Sequence, residues 1–442
     1  MKNRIVISLA LIGLFSVGSA YAMTNTQAKQ LATAAYNGNT ADLANLETAA
    51  KGGNAAAQLG LGEYYSSEKY YTKAVYWWNK AAAQGDTKAD YDLGAAQGKA
   101  AAELLQGNLY FKGIGVPQNY GKAVYSWNKA ADQGNASAEN NLGNAYYYGQ
   151  GVPQNYAKAN YWFEKAAAQG YAKAESNLGV DYGHGQGVPQ NYAKANYWFE
   201  KAAAQGYAKA EYNLGIVYDN GQGVPQDYAK ANHWYEKAAA QGYARAEYNL
   251  GIVYDKGQWV PQDYAKANYW YEKAAAQGNA GAENNLGYAY AHGQGVPQDY
   301  AKANYWTEKA AAQGYARAEY NLGVDYGQGQ GVPQDYAKEN YWYEKAAAQG
   351  YADAECNLGF DYGHGQGVPQ DYAKANYWFG KAAAQGNAGA EINLGDAYYS
   401  GHGVPQDTME AIHWWKRAAA QGGRVGRAAQ HLINLINLVE RG

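Results

Sequence analysis

Apolar positions in this chain fall on a helical beat, and the beat is copied along the sequence. In residues 210–243 (AEYNLGIVYDNGQGVPQDYAKANHWYEKAAAQGY) Ala210, Leu214 and Tyr218 recur every four residues and mark one face of a helix. Gly221 and Gly223 end that helix, and Val224-Pro225 forbids its continuation, because proline lacks the N–H a helix needs. Asp227 then stands where a helix N-cap belongs. A second helix is predicted over about residues 228–241, with Ala231, Trp234 and Ala238 on one side and the Trp234 ring buried between the two alanines. Gly242 supplies a left-handed stop. From Ala246, thirty-six residues on, nearly the same string returns, and all nine prolines keep the period: Pro117, Pro153, Pro189, Pro225, Pro261, Pro297, Pro333, Pro369 and Pro405. A fixed period of this length is the mark of stacked helical hairpins, each unable to bury its apolar stripe alone.

The expected fold is therefore all-α: a right-handed α-solenoid of stacked antiparallel helix pairs. Nine regular units begin at Ala102, Ala138, Ala174, Ala210, Ala246, Ala282, Ala318, Ala354 and Ala390 and fill residues 102–425. Residues 23–54 read as an irregular helical cap. Residues 55–101 read as a degenerate repeat plus an insertion, in which a first helix starts near Asp90 and breaks off at Gln97-Gly98. Residues 426–442 read as a closing helix with Leu432, Leu435, Ile436 and Val439 on its apolar stripe. The first regular unit departs from the rest: Gln106 replaces the leucine, and Trp127 comes one place late. Every unit keeps a glycine inside its first helix, from Gly107 to Gly395. That glycine costs about 1 kcal/mol against alanine, so a neighbour is expected to approach too closely for a Cβ.

The motif resembles the Sel1-like repeat family, relatives of the tetratricopeptide repeats. The matching residues in one unit are Ala210, Leu214, Gly215, Tyr218, Gly221, Gly223, Val224, Lys230, Ala231, Trp234, Lys237, Ala238, Ala239 and Gly242. The resemblance implies a solenoid adaptor, because such proteins hold protein partners in membrane-associated and envelope complexes. It also implies the exported bacterial type, some of which act in host interaction or in control of cell-wall enzymes. A cysteine-rich branch linked to β-lactam binding is not matched, for this chain has a single cysteine, Cys356.

The N-terminus has the layout of a secretion signal: Lys2 and Arg4, an apolar run over residues 5–17, and Ala20-Tyr21-Ala22 as a cleavage site. Periplasmic or secreted localisation is expected, with no membrane span after cleavage. Losing Lys2 and Arg4 takes the formal charge from −3 to −5, which argues against a nucleic-acid partner. Cys356 reads as a chance occupant of a tolerant position.

Numbering each unit from its leading alanine, loop and glycine positions hardly change, whereas positions three, seven, eight, ten and eleven of the first helix do. Positions three, seven and ten share a side of that helix, so this variable stripe is the expected partner-facing surface. The candidate residues on it are Tyr147, Ser176, Asp181, His184, Tyr212, Asp219, Tyr248, Asp255, Tyr288, Tyr320, Asp325, Phe360 and Asp361. Trp259, which replaces a loop glycine, joins them as an exposed anchor or as a ring folded over its loop. His184, His292 and His364 share position eleven, but they lie too many repeats apart for one metal ion. Asp325 and Asp361 occupy matching places in adjacent units and are read as charges on a solvated face. With no nucleophile elbow, phosphate loop or zinc signature, no enzyme activity and no cofactor are expected. The leading expectation is an exported scaffold for protein partners. The alternative is a glycan-binding module whose exposed tyrosines hold peptidoglycan.

Overall fold

The computed structural model describes residues 23–68, 70, 73, 77, 80, 81 and 93–439. The leader at residues 1–22 lies outside the described residues, as does much of the KAVYWWNKAAAQG string at residues 73–85. Among the described residues there are 22 helices and no strand. The chain falls into two compact units, residues 1–210 and 211–442.

The first unit opens with α1 (Asn25–Tyr36), α2 (Thr40–Lys51) and α3 (Ala55–Ser67). Thr24 and Gln27 close a capping box at the start of α1. Next comes α4, Leu93–Lys112. It runs through Gln97-Gly98 without a break, against the expectation of a helix that stops there: an internal glycine costs only about 1 kcal/mol, which twenty residues of otherwise good helix formers absorb. Regular pairs follow, such as Ala136–Tyr148 with Tyr156–Ala168 in the first unit and Ala280–His292 with Tyr300–Ala312 in the second.

Each boundary has a local cause. Asn155 and Asp299 accept from the backbone N–H three residues on, satisfying donors that the helix itself leaves free. At the far end of Tyr228–Ala240, Gly242 adopts φ 76°. Its N–H bonds the carbonyl of Ala239, and the N–H of Tyr243 bonds that of Ala238, a Schellman closure.

Within a repeat, Glu139 meets Gln169 and Gly143 meets Phe163, so the two helices run antiparallel. The expected close approach at the first-helix glycine is present, and its agent is specific. A Cβ on Gly143 would lie 2.4 Å from the Phe163 ring, and one on Gly215 would lie 2.3 Å from Tyr235. The buried ring is not the recurrent tryptophan. Trp234 is only half-buried, and the knob is the next residue, Tyr235. Four residues separate Ala231 from Tyr235, which puts them on the same face of the helix, whereas Trp234 falls at its edge. Trp127, one place late by the repeat's tryptophan, is in fact at the buried ring position and packs on Gly107.

Repeats are tied to their successors by asparagine and glycine. Asn160 in the first unit and Asn268 and Asn304 in the second each donate from Nδ2 to a loop carbonyl one repeat on (Gln186, Gln294 and Gln330) at 2.7–2.9 Å. The loop glycine there fits for two reasons: Gly295 has φ 69°, and a Cβ would come within 2.5 Å of the Tyr264 backbone of the preceding repeat.

The chain closes with Gly423–Val439. Ala429, Ile433 and Ile436 are buried against Trp415 and Ala418. Leu435, expected on the covered stripe, is exposed, since the buried face follows the three- and four-residue spacing of Ala429, Ile433 and Ile436.

Candidate partner-binding surface

The variable positions of the first helix do not form one surface. Position eight lies three residues past the leucine and seven past the leading alanine, on the face that packs on the second helix. Val217 and Ala289 are buried there, and so is Asp181 at 2 % exposure. Asp361 is equally buried, and Asp325 is half-buried. These are not charges on a solvated face. One carboxylate oxygen of both Asp181 and Asp361 has no hydrogen-bond partner. Burial pushes the Asp181 carboxyl up to about 7 despite Lys209, and Asp325 up to about 6 despite His292. Asp361 rises to about 7 through burial, with the Glu339 carboxylate adding to the effect.

Position three is covered by the neighbouring repeat as well as by its own hairpin. Asn177 donates to Asn140 at 3.1 Å across one repeat step, and Asn321 to Asn284 at 2.9 Å. Ser176 is fully buried. Tyr212, Tyr248 and Tyr320 are half-buried, with their rings 5.7–6.0 Å from the buried Tyr235, Tyr271 and Tyr343. Cys356 shares position three, and burial followed by Asp353 pushes its thiol up to about 11.

Position ten serves the knob. The Tyr235 hydroxyl donates to Asp219 at 3.5 Å, whereas Asp255 one repeat on faces the Tyr271 hydroxyl from beyond hydrogen-bond distance. Where the ring is a tryptophan, its Nε1 donates to position seven instead: Trp127 to Asn108 and Trp415 to Asp396, both at 3.1 Å. Tyr343 has Gly327 at position ten, and its partner is Glu339, a carboxylate where other repeats carry alanine. Phe163, Phe199 and Phe379 need no polar partner, and no aspartate stands at position ten of their repeats. Asp219 and Asp255 are thus largely accounted for by the chemistry of the buried ring.

What remains exposed is narrower than the sequence suggested. Tyr288 is 45 % exposed and stacks on His292, with ring centroids 4.0 Å apart. Phe360, 46 % exposed, stacks on His364 at the same distance. His184 is exposed, its Nδ1 2.9 Å from the Val180 carbonyl. Tyr147 is half-buried, hydrogen-bonded to Gln186 of the next repeat and edge-on to Tyr148 and Tyr156. Trp259 adopts φ 66°, the one positive φ outside glycine among the described residues. Its ring stacks on Tyr228 at 3.3 Å and is still 57 % exposed, so it folds over its loop and presents a face to solvent.

Two further sets of residues escaped the sequence reading. The second residue of each unit is a buried glutamate held by the glutamine of its own second helix: Glu175 by Gln205, Glu247 by Gln277 and Glu355 by Gln385, all at 2.7 Å. Their invariance among the copies was the available signal. On the second helices, Tyr161, Tyr269, Tyr305 and Tyr377 are more than half exposed, edge-on to the adjacent tryptophan.

The Sel1 repeat model matches residues 55–86 and then nine consecutive stretches from 100–135 to 388–423. The chain belongs to the Sel1 repeat family. Among solved structures it is similar to c5321, described as a protective antigen present in uropathogenic Escherichia coli strains displaying an SLR fold. The identity is 36 % and the TM-score 0.64, over 88 % of this chain and 80 % of that one. It is also similar to a Sel1 repeat protein from Oxalobacter formigenes, at 34 % identity and a TM-score of 0.52, over 70 % of this chain and 89 % of that one. No curated protein sequence matches the chain. Sel1 repeats form a scaffold fold typical of protein–protein interaction. No helix among the described residues is long and apolar enough to cross a membrane.

Proposed function

We propose that this Sel1 repeat protein is an exported, non-catalytic scaffold that captures protein partners on the exposed ends of its first helices. The observation that carries the reading is the set of solvent-facing rings at variable positions. Tyr288 and Phe360, each held by a stacked histidine, and Trp259, held by Tyr228, present rigid aromatic area that no fold contact requires to be there. Rings fixed in this way lose little entropy on binding, and aromatic anchors dominate interface energies. Export is supported by the layout of residues 1–22 and by the description of the c5321 relative as a protective antigen.

Capture from envelope extract tests the surface. Tyr288→Ala, Phe360→Ala and Trp259→Ala together are expected to abolish recovery of whatever the wild-type chain retains, with the thermal midpoint nearly unchanged. Undiminished capture by the triple variant removes this surface from consideration. Export is tested separately: residues 1–22 fused to a reporter active only outside the cytoplasm should give activity that is lost when the apolar run is interrupted by arginine.

A further inference from the structure

Repeat 280–315 departs from its neighbours at two positions. Its position three is Asn284, where Tyr212, Tyr248 and Tyr320 stand in nearby repeats, and its buried ring is replaced by Thr307. Beside Asn284 lies a cavity of about 340 Å3, reaching from Tyr248 and Asp255 of one repeat to Tyr288 of the next. That volume is at the lower end of small-ligand sites, which run roughly 300–1,000 Å3.

The floor of the cavity carries an unmet demand. Tyr271 lines it and is 2 % exposed, and its hydroxyl closes no hydrogen bond. The equivalent Tyr235 one repeat back does close one, to Asp219 at 3.5 Å. A buried hydroxyl without a partner is costly, and native interiors hold few of them. The Asp255 carboxyl and the Asn285 side chain face the Tyr271 hydroxyl from beyond hydrogen-bond distance. At the same cavity Lys256 and Arg317 are exposed, and neither closes an ion pair among the described residues.

We infer that this cavity binds a single sugar ring carrying a carboxylate, a hexuronate. The faces of Tyr248 and Tyr288 suit the C–H faces of a pyranose, while Tyr271, Asp255 and Asn285 offer the donors and acceptors that vicinal hydroxyls require. Lys256 and Arg317 take the ring's carboxylate. A wholly apolar ligand leaves Tyr271 unsatisfied. The site shares Tyr288 with the protein-capturing rings of the proposed function, but sugar binding and partner capture are measured separately and neither depends on the other.

Isothermal titration calorimetry of the whole exported chain tests it, with sodium D-glucuronate and D-glucose as probes. Glucuronate is expected to bind saturably, roughly tenfold tighter than glucose, with Arg317→Ala erasing the difference. Tyr271→Phe is expected to lose binding while its thermal midpoint stays equal or rises, since it deletes a group the fold leaves unpaired. Asn284→Tyr, which restores the residue of nearby repeats, should fill the cavity and also abolish binding. The inference is overturned if glucuronate shows no saturable binding, if glucose binds as well as glucuronate, or if Tyr271→Phe binds as the wild type does.

Discussion

One helix holds both a glycine that must be glycine and a glycine that need not be. In Ala352–His364, a Cβ on Gly359 would sit 2.5 Å from Cδ1 and Cε1 of Phe379, whereas one on Gly363 would meet only Ala375 Cβ at 3.7 Å. Ordinary carbon contacts fall near 3.5–4.0 Å, so Gly359→Ala forces the Phe379 ring back by about 1 Å inside a packed interior. Overpacking of that kind costs about 1–3 kcal/mol, against a gain of about 1 kcal/mol from helix propensity. The expected net loss is about 0–2 kcal/mol. Gly363→Ala meets no clash and keeps the propensity gain, up to about 1 kcal/mol. The two variants should therefore separate by about 1–3 kcal/mol, with the same chemical change four residues apart. Urea midpoints at constant m-value provide the measurement, and amide exchange in repeat 352–387 shows whether the effect is local. Gly359→Ala with Phe379→Leu should recover part of the loss. If Gly359→Ala proves as stable as Gly363→Ala, the ring-on-glycine contact does not constrain the repeat, and the account of the eight regular repeats that carry it is wrong.

Other outcomes follow from single groups. Asp181 holds its proton more tightly folded than unfolded, about 7 against 3.8, so its favourable contribution is complete below about pH 4 and lost as pH rises through about 7. Asp181→Asn should raise the thermal midpoint at pH 8 and leave it nearly unchanged at pH 4. At about 1.4 kcal/mol per pKa unit the ceiling is on the order of 4 kcal/mol, and an equal effect at both pH values would exclude a buried carboxyl. Glu355→Ala strips Gln385 and Lys381 of their partner and should cost about 1–3 kcal/mol by denaturant titration. Trp259→Gly trades a stacked ring for relief of a left-handed backbone, so its midpoint should move by less than about 1 kcal/mol in stability, whereas Gly295→Trp, pressed against Tyr264, should cost more. With its thiol pushed up to about 11, Cys356 should react with a thiol reagent at pH 8 far more slowly in the folded chain than in urea.

The thirty-six-residue period, the hairpin, its caps and the glycine that admits a ring were all legible in the chain, because each depends on neighbours within one repeat. A helical wheel would also have set position eight on the buried face beside Ala210 and Leu214. What no wheel could show is which ring partners an acid of the other helix, since Tyr235 and Asp219 meet across a hairpin, whereas Tyr343 and Glu339 stand four apart on one helix. Nor could it show that position three is roofed by the next repeat, as Asn140 is by Asn177. Local sequence decides what a residue can do within its own turn of helix. Burial at position three, and with it the cavity beside Asn284, is decided also by the surface a neighbouring repeat lays over it, and that depends on the side chains of another copy.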